Sequence, residues 1–222
     1  VKLRRWLVWK TLQSSARVLG SVMFDLKVYG LEHIPKGGAA IIAANHESNL
    51  DPILLNTHLR RPLSYVAKSE LFEVPFLSFL LWSVGAFPVH QGAGDVAAVR
   101  RCIRRLEQGH LLNIYPEGAR THDGQIGPME RGIALIDRRA HVPVIPAAII
   151  GTYEAWPWDR SYPTSGPVRI QFGPAMELAH KSADEIVATI DGTLHRMVEE
   201  LRERLRHENG YAHKPRHNGN GH

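Results

Sequence analysis

The sequence predicts a single α/β domain: a mostly parallel or mixed central sheet flanked by helices and preceded by an amphipathic N-terminal helix. Three observations carry this expectation. Short apolar runs bounded by turn residues alternate with stretches of helical periodicity. The 222 residues, 44% hydrophobic and 22% charged, suffice for one domain with a sizeable core. No internal repeat and no second domain is apparent.

The first element is helical. Val8, Trp9, Leu12, Ala16, Leu19 and Met23 recur at helical spacing, with Lys10, Gln13, Ser14 and Arg17 on the other side. Such a helix either lies on an anionic membrane, with Trp6 and Trp9 at the interface, or packs on the domain. Residues 1–25 form this segment, residues 26–208 the domain, and residues 209–222 a polar tail expected to be disordered. Strands are expected at Leu26–Tyr29, Ala39–Ala43, Leu63–Ala67, Leu111–Tyr115, Val144–Ile150 and Val168–Phe172. Asp51 and Pro52 form a helix-start signal, cap then first position, for a short helix to His58. From Asp95 to Glu107, Val96, Val99, Ile103 and Leu106 point inward, and Arg100, Arg101, Arg104 and Arg105 form a basic outer face. Arg131–Ala140 is a further short helix. Ser182-Ala183-Asp184-Glu185 is a capping box that opens the last one, whose stripe is Ile186, Ile190, Leu194, Met197, Leu201 and Leu205.

The net charge of +5 and pI near 9.5 suit an anionic partner. Nucleic acid is not expected, because no motif that reads DNA or RNA is present. The one cysteine, Cys102, has no partner for an internal disulfide. No stretch reaches the roughly 18–20 apolar residues that span a bilayer, and no signal peptide is recognisable. The histidines and acids show no metal-ligand spacing, so no metal is expected.

Two polar clusters end apolar runs. Ala44-Asn45-His46-Glu47-Ser48-Asn49-Leu50-Asp51-Pro52 follows the first, and Tyr115-Pro116-Glu117-Gly118-Ala119-Arg120-Thr121 follows the second. A histidine is suited to general-base work near neutral pH, and a carboxylate fixes its tautomer. On one continuous helix His46 and Asp51 would lie about 140° apart. They meet only if His46 sits in a loop and Asp51 begins the helix that follows. The plainer alternative is a capping aspartate beside a loop histidine. No Gly-x-Ser-x-Gly elbow or paired cysteine nucleophile is present, which favours direct attack by an acceptor hydroxyl over a covalent acyl-enzyme. Asn45 or backbone N–H groups could stabilise the oxyanion. Arg120 is suited to phosphate, whereas a salt bridge from Glu117 to an arginine is the default for that turn.

Taken together these segments resemble the glycerolipid acyltransferase family that includes 1-acyl-sn-glycerol-3-phosphate acyltransferases. Asn45, His46, Ser48 and Asp51 match its first block, and Pro116 to Thr121 match its Pro-Glu-Gly-Thr-Arg-Ser block. Val142-Pro143-Val144-Ile145-Pro146 matches a later apolar block, and Lys68–Phe72 and Glu130–Gly132 resemble the connecting patterns. The likeness runs from about Leu31 to Gly173 with order and spacing kept. It implies His46 as base, Asp51 as its partner, and Glu117, Gly118 and Arg120 at the acceptor-phosphate site, with Lys68 a further phosphate contact. It also implies an acyl-CoA or acyl-carrier-protein donor as co-substrate rather than a bound cofactor, a lysophospholipid acceptor, and attachment at the cytoplasmic face of the membrane. Two departures stand out. Gln91 occupies the place of a family arginine, so a phosphate would depend more on Arg120, Lys68 and Arg131; Ala119 replaces the usual threonine. The expected reaction forms phosphatidic acid. Its rivals are the same chemistry on another lysolipid or lipid-like alcohol, and a lipid-binding protein without catalysis.

Overall fold

The computed structural model describes residues 2–89 and 96–212. Seven strands form one mixed sheet: β1 (Lys27–Tyr29), β2 (Ala40–Ala44), β3 (Leu63–Lys68), β4 (Ala86–Val89), β5 (Leu111–Ile114), β6 (Val144–Ile150) and β7 (Arg169–Phe172). Their spatial order is β1-β7-β6-β2-β5-β3-β4. Every pair is parallel except β6–β7, so the sheet is mixed, as expected. The helices are α1 (Lys2–Phe24), α2 (Asp51–Asn56), α3 (Pro75–Ser83), α4 (Val96–Glu107), α5 (Gly132–Ala140), α6 (Thr152–Ala155) and α7 (Ala183–Ala212).

Strand alternation builds two cores. Ala40, Ile42 and Ala44 of β2 join Phe24 of α1 and Leu54 and Leu55 of α2 on one face. Ile41 and Ala43 join Cys102 and Leu106 of α4, Ile133 of α5 and Ile186, Ile190 and Leu194 of α7 on the other. All five residues of β2 are buried, which is why it reads as an unbroken apolar run. One domain of helix, sheet and helix layers results.

Several expectations change in detail. Strand β4 was not foreseen; it accepts Pro88 because at the sheet edge a missing N–H costs nothing, and Arg101 Nη1 donates to the Pro88 carbonyl. Gly85 admits the chain into β4 at φ +94°, where a Cβ would lie 2.6 Å from the Leu63 carbonyl oxygen. Helix α3 within Val74–Val89 was likewise unassigned. On α4, Val99, Ile103 and Leu106 face the core as expected, joined by the buried Cys102, while Val96 is exposed. On α1, Leu19 is exposed and Trp9 is buried in the protein, unavailable to an interface. Gln13 turns inward instead, donating to the carbonyls of Asn56 (2.8 Å) and Leu59 (2.7 Å). The Asn56 carbonyl also accepts from the Leu59 N–H (3.4 Å), and Gln13 fastens α1 to the end of α2. Asp51 does not cap α2; Leu50 takes that position and Asp51 is already helical. The capping box forms, with Ser182 N–H on Glu185 (2.8 Å) and Glu185 N–H on Ser182 Oγ (3.3 Å). Helix α7 runs past Asn209-Gly210 to Ala212; residues 213–222 lie outside the described residues, as does Gln91.

Asp137 of α5 is fully buried, and neither carboxyl oxygen finds a hydrogen-bond partner among the described residues. Burial pushes its pKa up from 3.8 to about 6, reinforced by Glu177 and opposed by His141 and His180. The folded state therefore keeps a proton that the unfolded chain releases, and this contribution to stability is lost as pH rises through about 4 to 6. Asp137→Asn removes the titration. Its stability relative to the parent should rise by about 2 kcal/mol between pH 4 and pH 8 in denaturant unfolding; a difference independent of pH would reject the buried ionisation.

Candidate active site

Strands β2 and β5 are adjacent and parallel, with Ala43 opposite Ile114, so the segments that leave their C-terminal ends emerge side by side. This brings the two polar clusters together. The Thr121 N–H donates to the His46 carbonyl (2.9 Å), and the His46 N–H donates to Glu117 Oε1 (2.7 Å).

His46 Nδ1 lies 2.8 Å from Asp51 Oδ2. A carboxylate only accepts, so the proton sits on Nδ1 and Nε2 presents a lone pair. The His46 side chain is 18% exposed, while that of Asp51 is completely buried. Asp51 Oδ2 also accepts from the N–H groups of Glu47 (2.7 Å) and Ser48 (2.8 Å), and Oδ1 accepts from Thr152 Oγ1 (2.6 Å). These bonds pull the loop after β2 back over the first turn of α2, which is the strand-loop-helix arrangement that the five-residue spacing requires. The Tyr115 ring stacks on His46 with centroids 3.8 Å apart and planes 12° apart. Nδ1 and one ring face are therefore occupied, and Nε2 remains for a reacting group.

Glu117 forms no ion pair with an arginine among the described residues, contrary to the default. It binds His46 N–H with one oxygen and Gly127 N–H (2.8 Å) with the other. Burial raises its pKa, and the Gly127 and His46 N–H groups oppose that shift. Its work is to strap the 115–130 loop to the His46 backbone. Gly118 makes the turn at φ +70°, with its N–H on the Tyr115 carbonyl (3.0 Å). Arg120 is half-exposed and pairs with no acid among the described residues, so its charge is free to meet an anion.

Other proposed contacts lie elsewhere. Asn45 is buried, its amide donating to the Ile149 carbonyl and accepting from the Ile149 N–H, both at 2.8 Å. It adds a rung to the β2–β6 ladder and is not available as an oxyanion donor or substrate contact. Ser48 Oγ donates to the Trp156 carbonyl (2.7 Å) and is fully buried. Lys68 ends β3, exposed, two strands from β2 in the sheet. Arg131 pairs with Asp184 of α7 (2.8 Å) and both are exposed, which draws it away from the cluster. Sequence reading missed Tyr115, Glu47 and Thr152 as members of the site. Tyr115 and Glu47 stood within the two clusters, but Thr152 is distant in sequence from both. Among the described residues no group of three or more His, Cys, Asp or Glu is placed to hold a metal ion.

Asn45→Ala leaves the Ile149 N–H and C=O buried without partners and should cost about 2–4 kcal/mol of unfolding free energy. Chemical denaturation measures it, and a loss under about 1 kcal/mol would reject the structural role.

The chain has known relatives. The profile of the acyltransferase family matches residues 25–150. A 1-acyl-sn-glycerol-3-phosphate acyltransferase of Bacillus subtilis is 26% identical over 89% of this chain and 98% of its own length. One from Pseudomonas aeruginosa is 31% identical, over 78% of this chain and 64% of that protein. The crystal structure of the 1-acyl-sn-glycerophosphate acyltransferase of Thermotoga maritima superposes with a TM-score of 0.78 at 27% identity, covering 90% of this chain and 82% of that one. With its mixed sheet, its two clusters joined at His46 and a family profile matched over more than half its length, the chain belongs to the acyltransferase family.

Proposed function

We propose that this chain moves a fatty acyl group from a thioester, acyl-CoA or acyl-carrier protein, to the sn-2 hydroxyl of 1-acylglycerol-3-phosphate, giving phosphatidic acid. The observation that carries the reading is the His46–Asp51 pair at 2.8 Å with Nε2 left for a reacting group. The names of the relatives support the acceptor.

In this mechanism His46 Nε2 takes the proton of the acceptor hydroxyl as its oxygen attacks the thioester carbonyl carbon. The buried Asp51 carboxylate offsets the positive charge that forms on the ring. The tetrahedral intermediate collapses, the carbon–sulfur bond breaks, and the imidazolium returns its proton to the leaving thiolate. Ester and free thiol result in equal amounts. Arg120 binds the acceptor phosphate. Gln91, which brings no charge, favours one alternative: the same chemistry on a lysolipid with a different headgroup.

The acceptor is a lipid, and we place the protein on the cytoplasmic face of the cell membrane as a peripheral or monotopic enzyme. No helix among the described residues is long and apolar enough to cross a membrane. Support for surface docking comes from Trp6, Leu7, Val18, Leu19 and Val22 of α1, all exposed, and from Phe76, Phe79 and Trp82 of the neighbouring α3. The arginines of α4 and the net charge of +5 fit an anionic surface or the phosphates of CoA.

In mixed micelles with lysophosphatidic acid and an acyl-CoA, thiol release and phosphatidic acid should rise together. His46→Ala should lower turnover at least about a thousandfold with the fold retained; near-normal turnover would sink the base assignment. Arg120→Ala should raise the KM for lysophosphatidic acid at least about tenfold while the thioester KM stays put, and an unchanged acceptor KM removes Arg120 from the site. Val18→Glu with Val22→Glu should weaken co-sedimentation with phosphatidylglycerol vesicles, and unaltered binding rejects α1 as the docking element.

A further inference from the structure

Behind Asp51 lies a pair of polar side chains that acyl transfer, as described, does not use. Thr152, the first residue of α6, is fully buried, and Glu47, beside His46, is 4% exposed. Thr152 Oγ1 lies 2.6 Å from Asp51 Oδ1 and 3.2 Å from Glu47 Oε2. We propose that Thr152, and Glu47 behind it, are positioning residues that hold the Asp51 carboxylate in register with His46. The proposal rests on the general-base reading of His46.

The argument turns on proton count. Thr152 has one hydroxyl proton and two carboxyl oxygens within reach. Asp51 already collects three donors on Oδ2 and, among the described residues, has Thr152 as its one side-chain donor on Oδ1. The shorter contact assigns the Thr152 proton to Asp51. The 3.2 Å contact is then a hydrogen bond only when Glu47 carries a proton and donates it to Thr152 Oγ1. The Tyr153 N–H, 3.2 Å from the same Glu47 oxygen, is compatible with a neutral carboxyl there. Burial, then the charges of Asp51 and Glu154, push the Glu47 carboxyl well above its ordinary range. A directed chain results: Glu47 to Thr152, Thr152 to Asp51, and His46 to the other oxygen of Asp51.

Ionising Glu47 would break that chain. It would compete for the single Thr152 proton, release Asp51 Oδ1, and set a second negative charge beside Asp51 in a buried site. The groups that face Glu47 are Asp51 from α2, Glu154 from α6, and Arg202 of α7, which shares with it a cavity of about 220 Å³.

The test compares kcat, KM and pH profiles of the intact enzyme with Thr152→Val, Thr152→Ser and Glu47→Gln, with His46→Ala as control. Thr152→Val keeps the shape and removes the hydroxyl; kcat should fall about tenfold or more with the KM for lysophosphatidic acid within about twofold. Thr152→Ser should restore most of the loss. Glu47→Gln, whose amide still donates but cannot ionise, should flatten the pH dependence of kcat relative to the parent, and a profile of parental shape removes Glu47 from the chain. Apart from turnover, the His46 Nδ1 proton resonance, identified by its disappearance in His46→Ala, should move in Thr152→Val and return in Thr152→Ser. Parental kcat and an unmoved resonance in Thr152→Val overturn the proposal. So does a kcat that Thr152→Ser fails to restore in a folded protein, since packing and not the hydroxyl would then be at issue. If His46→Ala itself keeps its turnover, the base reading has failed, and the two failures are told apart.

Discussion

A carboxylate without solvent exposure governs the geometry of this site. Taking an ionised group out of water costs many kcal/mol unless hydrogen bonds replace the water. Asp51 collects them from four directions: two loop N–H groups, the Thr152 hydroxyl and the His46 ring. Satisfying that one carboxylate closes the loop after β2 and turns the imidazole. It also ties α2 to the first turn of α6, about a hundred residues away in the chain. Because Asp51 is committed to the preceding loop, it does not serve as the helix cap its position suggests. The same residue cannot do both, and the buried charge takes precedence over about 1 kcal/mol of capping.

The second constraint is the parallel pairing of β2 with β5. Parallel neighbours release their chains at the same end of the sheet, so residues about seventy apart in sequence emerge together, and a crevice at that end is where α/β sheets carry ligands. Glu117 completes the junction. Its two oxygens are spent on backbone N–H groups, so it shapes the site and offers little to a substrate phosphate. Arg120 is the contrasting case. With no acid beside it among the described residues, its guanidinium keeps both its charge and its fork of donors for an anion.

The fold was legible wherever burial is two-sided or periodic. The runs at Ala39–Ala43 and Val144–Ile150 foretold β2 and β6 to within a residue, because every side chain of both strands is covered. The stripe of α7 held from Ile186 to Leu201 because one face of a long helix must pack. Reading failed where edge effects decide. Pro88 is tolerated in β4 because that strand has one neighbour among the described residues. In the site, His46 and Asp51 were legible as a spaced pair, while Asn45 and Ser48, which lie in the same motif, turned out to brace it from behind. Thr152 was illegible for a definite reason. Its partners are fixed by the β2–β6 pairing, and no local spacing reports a contact between residues 51 and 152.

The exposed apolar residues of α1 and α3 acquire a meaning when set beside the buried ones. Trp9 and Phe24 anchor α1 to the domain, and Gln13 fastens it to the end of α2, so the helix has no need of its outer side chains for folding. Val18, Leu19 and Val22 nevertheless remain apolar and face outward, and Phe76, Phe79 and Trp82 do the same on α3. Exposed aliphatic and aromatic groups on two neighbouring helices make a surface that water solvates poorly. An acceptor with one fatty chain partitions into a bilayer, so an enzyme that keeps such a surface can reach it without drawing the lipid fully into water. Under the proposed function one helix has two jobs: its inner face secures α2, which begins with Asp51, and its outer face would meet the phase in which the acceptor resides.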